Sequence, residues 1–222
     1  MQVPILSTII KGAAYLDAGA TFLNGFKGLA EGITSGDWSG LASSGKIFLG
    51  NFALNDKLSG LGGAWEGISR FSWEGIQQTL GYSFNQVYNS VSNNTFVHFF
   101  DGATLVNSDV KGGGNWGLTM GNFIMGQNLR ANISDNTFMQ EYGHTIQSGN
   151  WGLLYPFAVA IPSGWNYLFG DGRRIVEYYN GFKIQDHQLK WYEEQASGYA
   201  ADYFKKYYGI DWSEGANPTP GF

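Results

Sequence analysis

One short segment in the second half of the chain carries side chains that can bind a metal and move a proton. Its sequence is Gln140-Glu141-Tyr142-Gly143-His144. On a helix, Gln140 and His144 lie four residues apart on one face, with Glu141 beside them. When both outer positions are histidine, this spacing holds zinc, and the glutamate acts as general base. The segment therefore suggests a metal-dependent hydrolytic site in which glutamine stands at the position of the first histidine.

A further metal ligand would have to come from another part of the chain, and the C-terminal segment offers two candidates. Glu193 lies 49 residues after His144, a spacing that suits a glutamate ligand. The small residue Ala196 follows it and would let another helix approach closely. His187 precedes Glu193 by about one and a half helical turns and could also reach a metal.

Each of these residues also has a purely structural interpretation. A glutamate and a histidine at this spacing on a helix are a weak signal by themselves. Glu193 and Glu194 could form a solvated helix face, as most such pairs do. His187 could be an exposed loop residue, and His98 is expected to pack beside its aromatic neighbours in a strand.

Hydrophobic spacing indicates the elements that would position the site. Helices are predicted over residues 71–92, 134–148 and 186–208. A strand-turn-strand unit over 95–108 is predicted around Asp101-Gly102, a pair typical of hairpin turns. Another strand is predicted over 116–125. Residues 149–185 are predicted to be mixed loops, with Pro156 and Pro162 as breakers.

Residues 1–70 are rich in Gly, Ala and Ser, with Ile and Leu at helical intervals. The pattern predicts one or two helices interrupted by glycines. Small residues at this spacing favour close helix packing, while a glycine-rich amphipathic stretch is also compatible with a membrane-interacting segment. Met1 to Ile10 lack the basic start and cleavage site of a signal peptide, and no apolar run is long enough to span a membrane.

The predicted architecture is α+β. A small, mainly antiparallel sheet would pack on the motif helix and the C-terminal helix, and helices from residues 1–92 would cover its other side. The predicted domains are a helical N-terminal region (1–70), a site-bearing domain (71–212) and a flexible tail (213–222). Four tryptophans are expected to fill the core and cleft: Trp116, Trp151, Trp165 and Trp191.

Composition excludes several classes of function. Aromatic residues make up 17% and charged residues 14% of the 222 residues, which is typical of a folded protein. The net charge of -5 and the absence of a basic stripe argue against a nucleic-acid partner. The chain has no cysteine, so thiol catalysis, disulfides and cysteine metal sites are excluded.

Residues 136–148, NTFMQEYGHTIQS, resemble the HEYGHxxQS block of zincin-like C-terminal domains on Rhs-repeat and related polymorphic-toxin proteins of the Bacteroidetes type. Residues 102–106 are similar to that family's GGxTVV strand, and residues 118–124 to its TLGxxI strand. The segment Trp191–Ser197 is similar to WTExxAN. Together the blocks cover about residues 73–208, in order, which is more specific than one motif.

The resemblance implies a zinc metallopeptidase fold with Glu141 as general base and with His144 and Glu193 as metal ligands. Members of the family sit at the ends of large surface or secreted proteins. The chain would then be a toxin or effector domain, secreted or delivered to a target cell, with a peptide or protein substrate and an immunity protein as partner.

This sequence departs from the family pattern at Gln140, because an amide oxygen is a poorer zinc ligand than imidazole. Three outcomes are open. Gln140 binds weakly through its oxygen, His187 replaces the missing ligand, or the site is catalytically dead and the domain binds a partner. A membrane-acting toxin that uses the N-terminal region is a further alternative.

Overall fold

The computed structural model describes residues 4–58, 61–92, 95–170, 175–179 and 182–212. The tail predicted over 213–222 lies outside these ranges. The α-helices are α1 (Pro4–Ser35), α2 (Ser39–Gly50), α3 (Leu61–Phe71), α4 (Gly75–Val91), α5 (Asn136–Trp151), α6 (Ile161–Phe169) and α7 (Trp191–Tyr208). The strands are β1 (Thr95–Phe100), β2 (Ala103–Ser108), β3 (Trp116–Met120), β4 (Phe123–Gln127), β5 (Ile175–Tyr179) and β6 (Phe182–Gln185). The predicted α+β class is confirmed.

The first four strands form one sheet in the order β1-β2-β4-β3. The outer pairs, β1 with β2 and β3 with β4, are antiparallel, whereas the central pair β2 and β4 is parallel. The sheet is therefore mixed, with antiparallel pairing in the majority. Its edge strand β3 lies against α5, the helix that carries the motif.

Helices cover both faces of this sheet. Successive residues of a strand point to opposite faces, and the buried residues of β2 and β4 alternate accordingly. Val106 and Phe123 pack in one cluster with Ile47 of α2 and Tyr82 of α4. Leu105 and Ile124 belong to a second cluster, which also contains the following residues of α5 and α7: Phe138, Met139, Tyr142, Ala200, Tyr203 and Phe204. The N-terminal helices thus cover the face opposite the motif helix, as predicted.

The turn predicted at Asp101-Gly102 joins β1 to β2. Both residues have positive φ angles, 41° and 83°, which is the conformation that a two-residue hairpin turn requires and that glycine adopts readily. The single strand predicted over 116–125 is instead two strands, β3 and β4, joined by a tight turn at Gly121 and Asn122. The apolar residues on both sides of the turn concealed it in the sequence.

The N-terminal region differs from the prediction because α1 is one continuous helix through its glycines. Packing explains the difference, since α1 lies along both α2 and α4. Gly28 is close to the backbone of Leu41, where a side chain would not fit. The outward side of α1 exposes large apolar side chains, including Phe22, Phe26 and Ile33. None of the helices within the described ranges is long and apolar enough to cross a membrane.

The stretch predicted as mixed loops contains regular structure. A π-helical turn at Pro156–Ala160 leads into α6, and the hairpin of β5 and β6 follows. Pro156 and Pro162 stand in the first turns of these helical segments. Proline is tolerated in the first turn of a helix, and Pro162 follows the π-helical turn directly, with helical residues on both sides of it. The two prolines therefore begin helical segments rather than break them.

The tryptophans do not fill the core as expected. Trp165 and Trp191 are 65% and 48% exposed, so the prediction was wrong for both. Trp116 and Trp151 are half-buried. Phenylalanine and tyrosine occupy the interior instead, with Phe123, Phe138, Tyr155 and Phe204 among its largest fully buried side chains.

Helices α5 and α7 cross in close contact, and Gly143 permits it. A Cβ atom at this position would collide with the carbonyl oxygen of Ala196 and would lie 3.1 Å from the Cβ of Ala200. The start of α5 is also well defined, because the side chain of Asp135 accepts a hydrogen bond of 2.9 Å from the N–H of Phe138. The motif is thereby held against the C-terminal helix.

We expect Gly143→Ala to lower the free energy of unfolding by about 1–3 kcal/mol, because the added methyl group forces the two helices apart. The matched control is Gly198→Ala on exposed α7 surface, where nothing lies within 4 Å of the added atom. Alanine should stabilise the helix there by up to about 1 kcal/mol. Urea unfolding of both variants measures the difference, and equal effects would contradict the packing role of Gly143.

Candidate functional site

The candidate site is centred on the carboxylate of Glu193, which is only 3% exposed and lies in the first turn of α7. Two side chains of α5 contact its Oε2 atom. The Nε2 atom of His144 lies 3.0 Å from it, and the side-chain amide of Gln140 donates a hydrogen bond to it over 3.2 Å. The structure thus brings together three residues predicted as metal ligands.

The other oxygen of Glu193 is contacted from the segment between α5 and α7. The hydroxyl of Ser163 in α6 donates to Oε1 over 2.8 Å. The Nε2 atom of His187, in the short 3-10 helix before α7, lies 3.0 Å from the same oxygen. His187 therefore lies beside Glu193, but it contacts the opposite side of the carboxylate from His144.

Glu141, the predicted general base, is half-buried and lies close enough to His144 and Glu193 for their charges to act on it. The hydroxyl of Thr119 on β3 donates to its Oε2 over 2.6 Å. Gly117 on the same strand leaves room for its side chain, because a Cβ there would collide with the Cγ of Glu141. Burial raises the pKa of Glu141, although the nearby His144 and Thr119 oppose the shift. A raised pKa suits a carboxylate that accepts a proton near neutral pH.

His144 and Glu193 form a buried ion pair. Burial by itself lowers the pKa of His144, but the charge and hydrogen bond of Glu193 outweigh it and raise that pKa to about 9. Burial raises the pKa of Glu193, but His144 and His187 outweigh it, so its pKa lies well below the ordinary value. A neutral Nε2 lone pair would face a carboxylate oxygen at 3.0 Å. Because Nδ1 faces the amide oxygen of Gln147 at 2.8 Å, both ring nitrogens face oxygen acceptors. The ring therefore carries both protons, or a bound cation takes the place of the proton on Nε2.

Gln147 contacts the ring of His144 at Nδ1, the nitrogen that does not face Glu193. This Nδ1 atom lies 2.8 Å from the Oε1 atom of Gln147, three residues later on the same helix. Sequence reasoning did not assign a role to Gln147, Thr119 or Ser163. The helical spacing from His144 to Gln147 was a usable signal for the first. The other two lie on elements whose position relative to α5 is not readable from spacing.

The remaining predicted positions lie elsewhere. His98 is exposed on β1, opposite Leu105 of β2, and is not among the residues around Glu193. Its place in a strand, between Phe96 and Phe100, is as expected. Glu194, next to Glu193 in the chain, is half-buried and points away from the carboxylate cluster by the geometry of the helix.

Two contact distances at Glu193 are close to the spacing of ligands around a metal ion. Two ligands of a tetrahedral zinc ion lie about 3.3 Å apart, close to the separations of 3.0 and 3.2 Å from Glu193 Oε2 to His144 and Gln140. Turning the amide of Gln140 by half a rotation would present its oxygen. Within the described ranges, no group of three or more His, Cys, Asp or Glu side chains is arranged to hold a metal. The amide of Gln140 would therefore have to take part, or His187 would have to move.

The ion pair predicts a pH dependence of stability in metal-free protein. The pKa of His144 is raised in the folded state from 6.5 to about 9, so its contribution is complete below pH 6.5 and is lost as pH rises through 9. We expect wild type to lose roughly 3 kcal/mol over this window, beyond any loss in His144→Gln. Glu193 and Glu141 are the titratable groups whose charges act on the ring, and His187 contacts the other oxygen of Glu193. Urea unfolding in a chelator measures the difference, and parallel pH profiles of the two proteins would contradict it.

Comparison of the chain with protein-family models, curated proteins and solved structures finds no match.

Proposed function

We propose that this chain is a metallopeptidase-like domain of zincin type that acts as a toxin or effector at the end of a secreted Rhs-type protein. The observation that carries the proposal is the convergence of Gln140, His144 and Glu193. These residues come from two helices, with 49 positions between His144 and Glu193. A solvated helix face would not bury Glu193 or direct it at the motif helix. Glu141 lies beside these residues, and the hydroxyl of Thr119 donates a hydrogen bond to its carboxylate.

The metal ligands in this proposal are His144 through Nε2 and Glu193 through Oε2. Gln140 completes the set through its amide oxygen, or His187 does so from the other side of the carboxylate. A bound zinc ion would supply Lewis-acid polarisation of a substrate carbonyl and of water. Since the amide is a weak donor to zinc, the affinity is expected to be lower than with a second histidine.

Glu141 is the proton acceptor in this proposal. Thr119 binds one of its oxygens, which orients the carboxylate, and burial raises its pKa. Gln140 and Glu141 are half-buried, whereas His144 and Glu193 are buried. A substrate would therefore meet Glu141 at the accessible rim, while the ligand pair is shielded from water.

Zinc titration of chelator-treated protein by calorimetry tests the metal site. We expect wild type to bind zinc weakly and Gln140→His to bind it at least about tenfold more tightly, because imidazole replaces an amide. The matched control is Gln127→His at the half-buried end of β4, which should leave the affinity unchanged. Absence of binding of zinc or any other divalent ion to wild type would contradict a functional metal site.

Replacing the base separates catalysis from metal binding. We expect Glu141→Gln to retain the zinc affinity of its parent and to lower peptide hydrolysis by about 10²–10⁴-fold, because the proton acceptor is lost. The measurement is turnover of a quenched fluorescent peptide library, in the wild-type and Gln140→His backgrounds. The control is Glu194→Gln, one residue from Glu193 but outside the cluster. An equal loss in both variants would contradict the role of Glu141.

A second candidate is a catalytically inactive binding module on the same fold. The observation that favours it is the closed contact between His144 and Glu193, which satisfies both side chains by a proton alone. Gln140 adds a neutral hydrogen bond to the same carboxylate. In this case wild type binds no metal while Gln140→His does. Stoichiometric metal in unaltered protein would exclude this candidate.

A further inference from the structure

A chain of hydrogen bonds runs from the surface of the α5–α7 contact to the ring of His144. The indole N–H of Trp151 donates to Oε1 of Gln195 over 2.7 Å. The amide of Gln147 donates to the same oxygen and to the carbonyl oxygen of Tyr192, each over 2.9 Å. Its own oxygen lies 2.8 Å from Nδ1 of His144.

The indole of Trp151 and the carbonyl of Tyr192 determine the donor and the acceptor in every hydrogen bond of this series. An indole N–H can only donate, so Gln195 must present its oxygen to Trp151. A backbone carbonyl can only accept, so Gln147 must present its NH₂ group to Tyr192. The amide of Gln147 therefore cannot turn around without losing both bonds. Its oxygen must face His144, and an oxygen can only accept.

We propose that Gln147 is a positioning residue that holds His144 with a proton on Nδ1, so that Nε2 alone faces Glu193. The inference deepens the proposed function, on which its consequence for metal binding rests. Nδ1 faces an oxygen that can only accept, so it carries a proton, and Nε2 is the ring nitrogen that faces Glu193 and is placed to bind a metal. Burial strengthens the restraint, since Gln147 is fully buried between α5 and α7.

The chain has three histidines, which makes nuclear magnetic resonance of the ring nitrogens a direct test. In metal-free wild type near neutral pH the ring carries both protons, so the informative signal is exchange: we expect the Nδ1–H proton of His144 to be protected from exchange with water by its bond to Gln147. After addition of zinc, Nδ1–H should persist while Nε2 shows the shift of a coordinated nitrogen. Coordination through Nδ1, or an exposed Nδ1–H in wild type, would overturn the proposal.

Two substitutions separate positioning from packing. Gln147→Leu removes the acceptor, so the Nδ1–H proton should lose its protection and zinc affinity should fall by about 10- to 100-fold. Gln147→Glu keeps an oxygen toward Nδ1 but loses the amide donors, so it should retain the protected proton. A purely structural role would make the two variants equally damaging to the ring signal, which would overturn the proposal.

Gln86→Leu is the control for loss of a buried glutamine. Gln86 is fully buried in α4 and is hydrogen-bonded to Ser44 and Tyr82, on the other side of the sheet. Its replacement should lower stability while leaving the His144 signals unchanged. If wild type binds no metal, the proposed function fails, but the protected Nδ1–H in metal-free protein still decides the role of Gln147.

Discussion

The buried carboxylate of Glu193 is the constraint on which the arrangement of the site depends. Removing a carboxylate from water costs several kcal/mol unless its oxygens gain partners. Four side chains contact it, two from α5, one from α6 and one from the 3-10 helix before α7. The helices can approach because Gly143 has no side chain to collide with Ala196. The close packing at Gly143 and the hydrogen bonding of the Glu193 carboxylate therefore depend on each other.

The same carboxylate sets the charge balance of the site. Because Gln147 faces the other ring nitrogen with an acceptor, the contact of Glu193 with His144 suits a proton or a divalent cation at Nε2. Glutamine at position 140 changes this balance little, because its amide is neutral and donates to the same oxygen. It does reduce the number of strong metal ligands. Glutamine at this position thus leaves the hydrogen bonds around the buried carboxylate satisfied.

The sequence predicted those elements that are determined by residues a few positions apart. The Asp101-Gly102 turn, the caps and period of α5, and the helical character of α7 were all readable, because each depends on residues a few positions apart. The sequence-based prediction was wrong where one residue type, proline or glycine, is compatible with two local structures. Pro156 and Pro162 predict breaks, yet both stand in the first turn of a helical segment. The glycines of α1 predict interruptions, yet the helix continues because its neighbours pack on it.

The sequence by itself determined that Gln140, Glu141 and His144 share one part of a helix, and that a helix bearing Glu193 follows. Helical period alone ensures this. Only the tertiary structure decided that Glu193 meets His144 on one oxygen and His187 on the other, and that Gln147 holds the ring from behind. Such contacts join elements far apart in the chain. They depend on how closely backbones approach, as at Gly143 and Gly117, and on which donors can be buried together, neither of which local periodicity encodes.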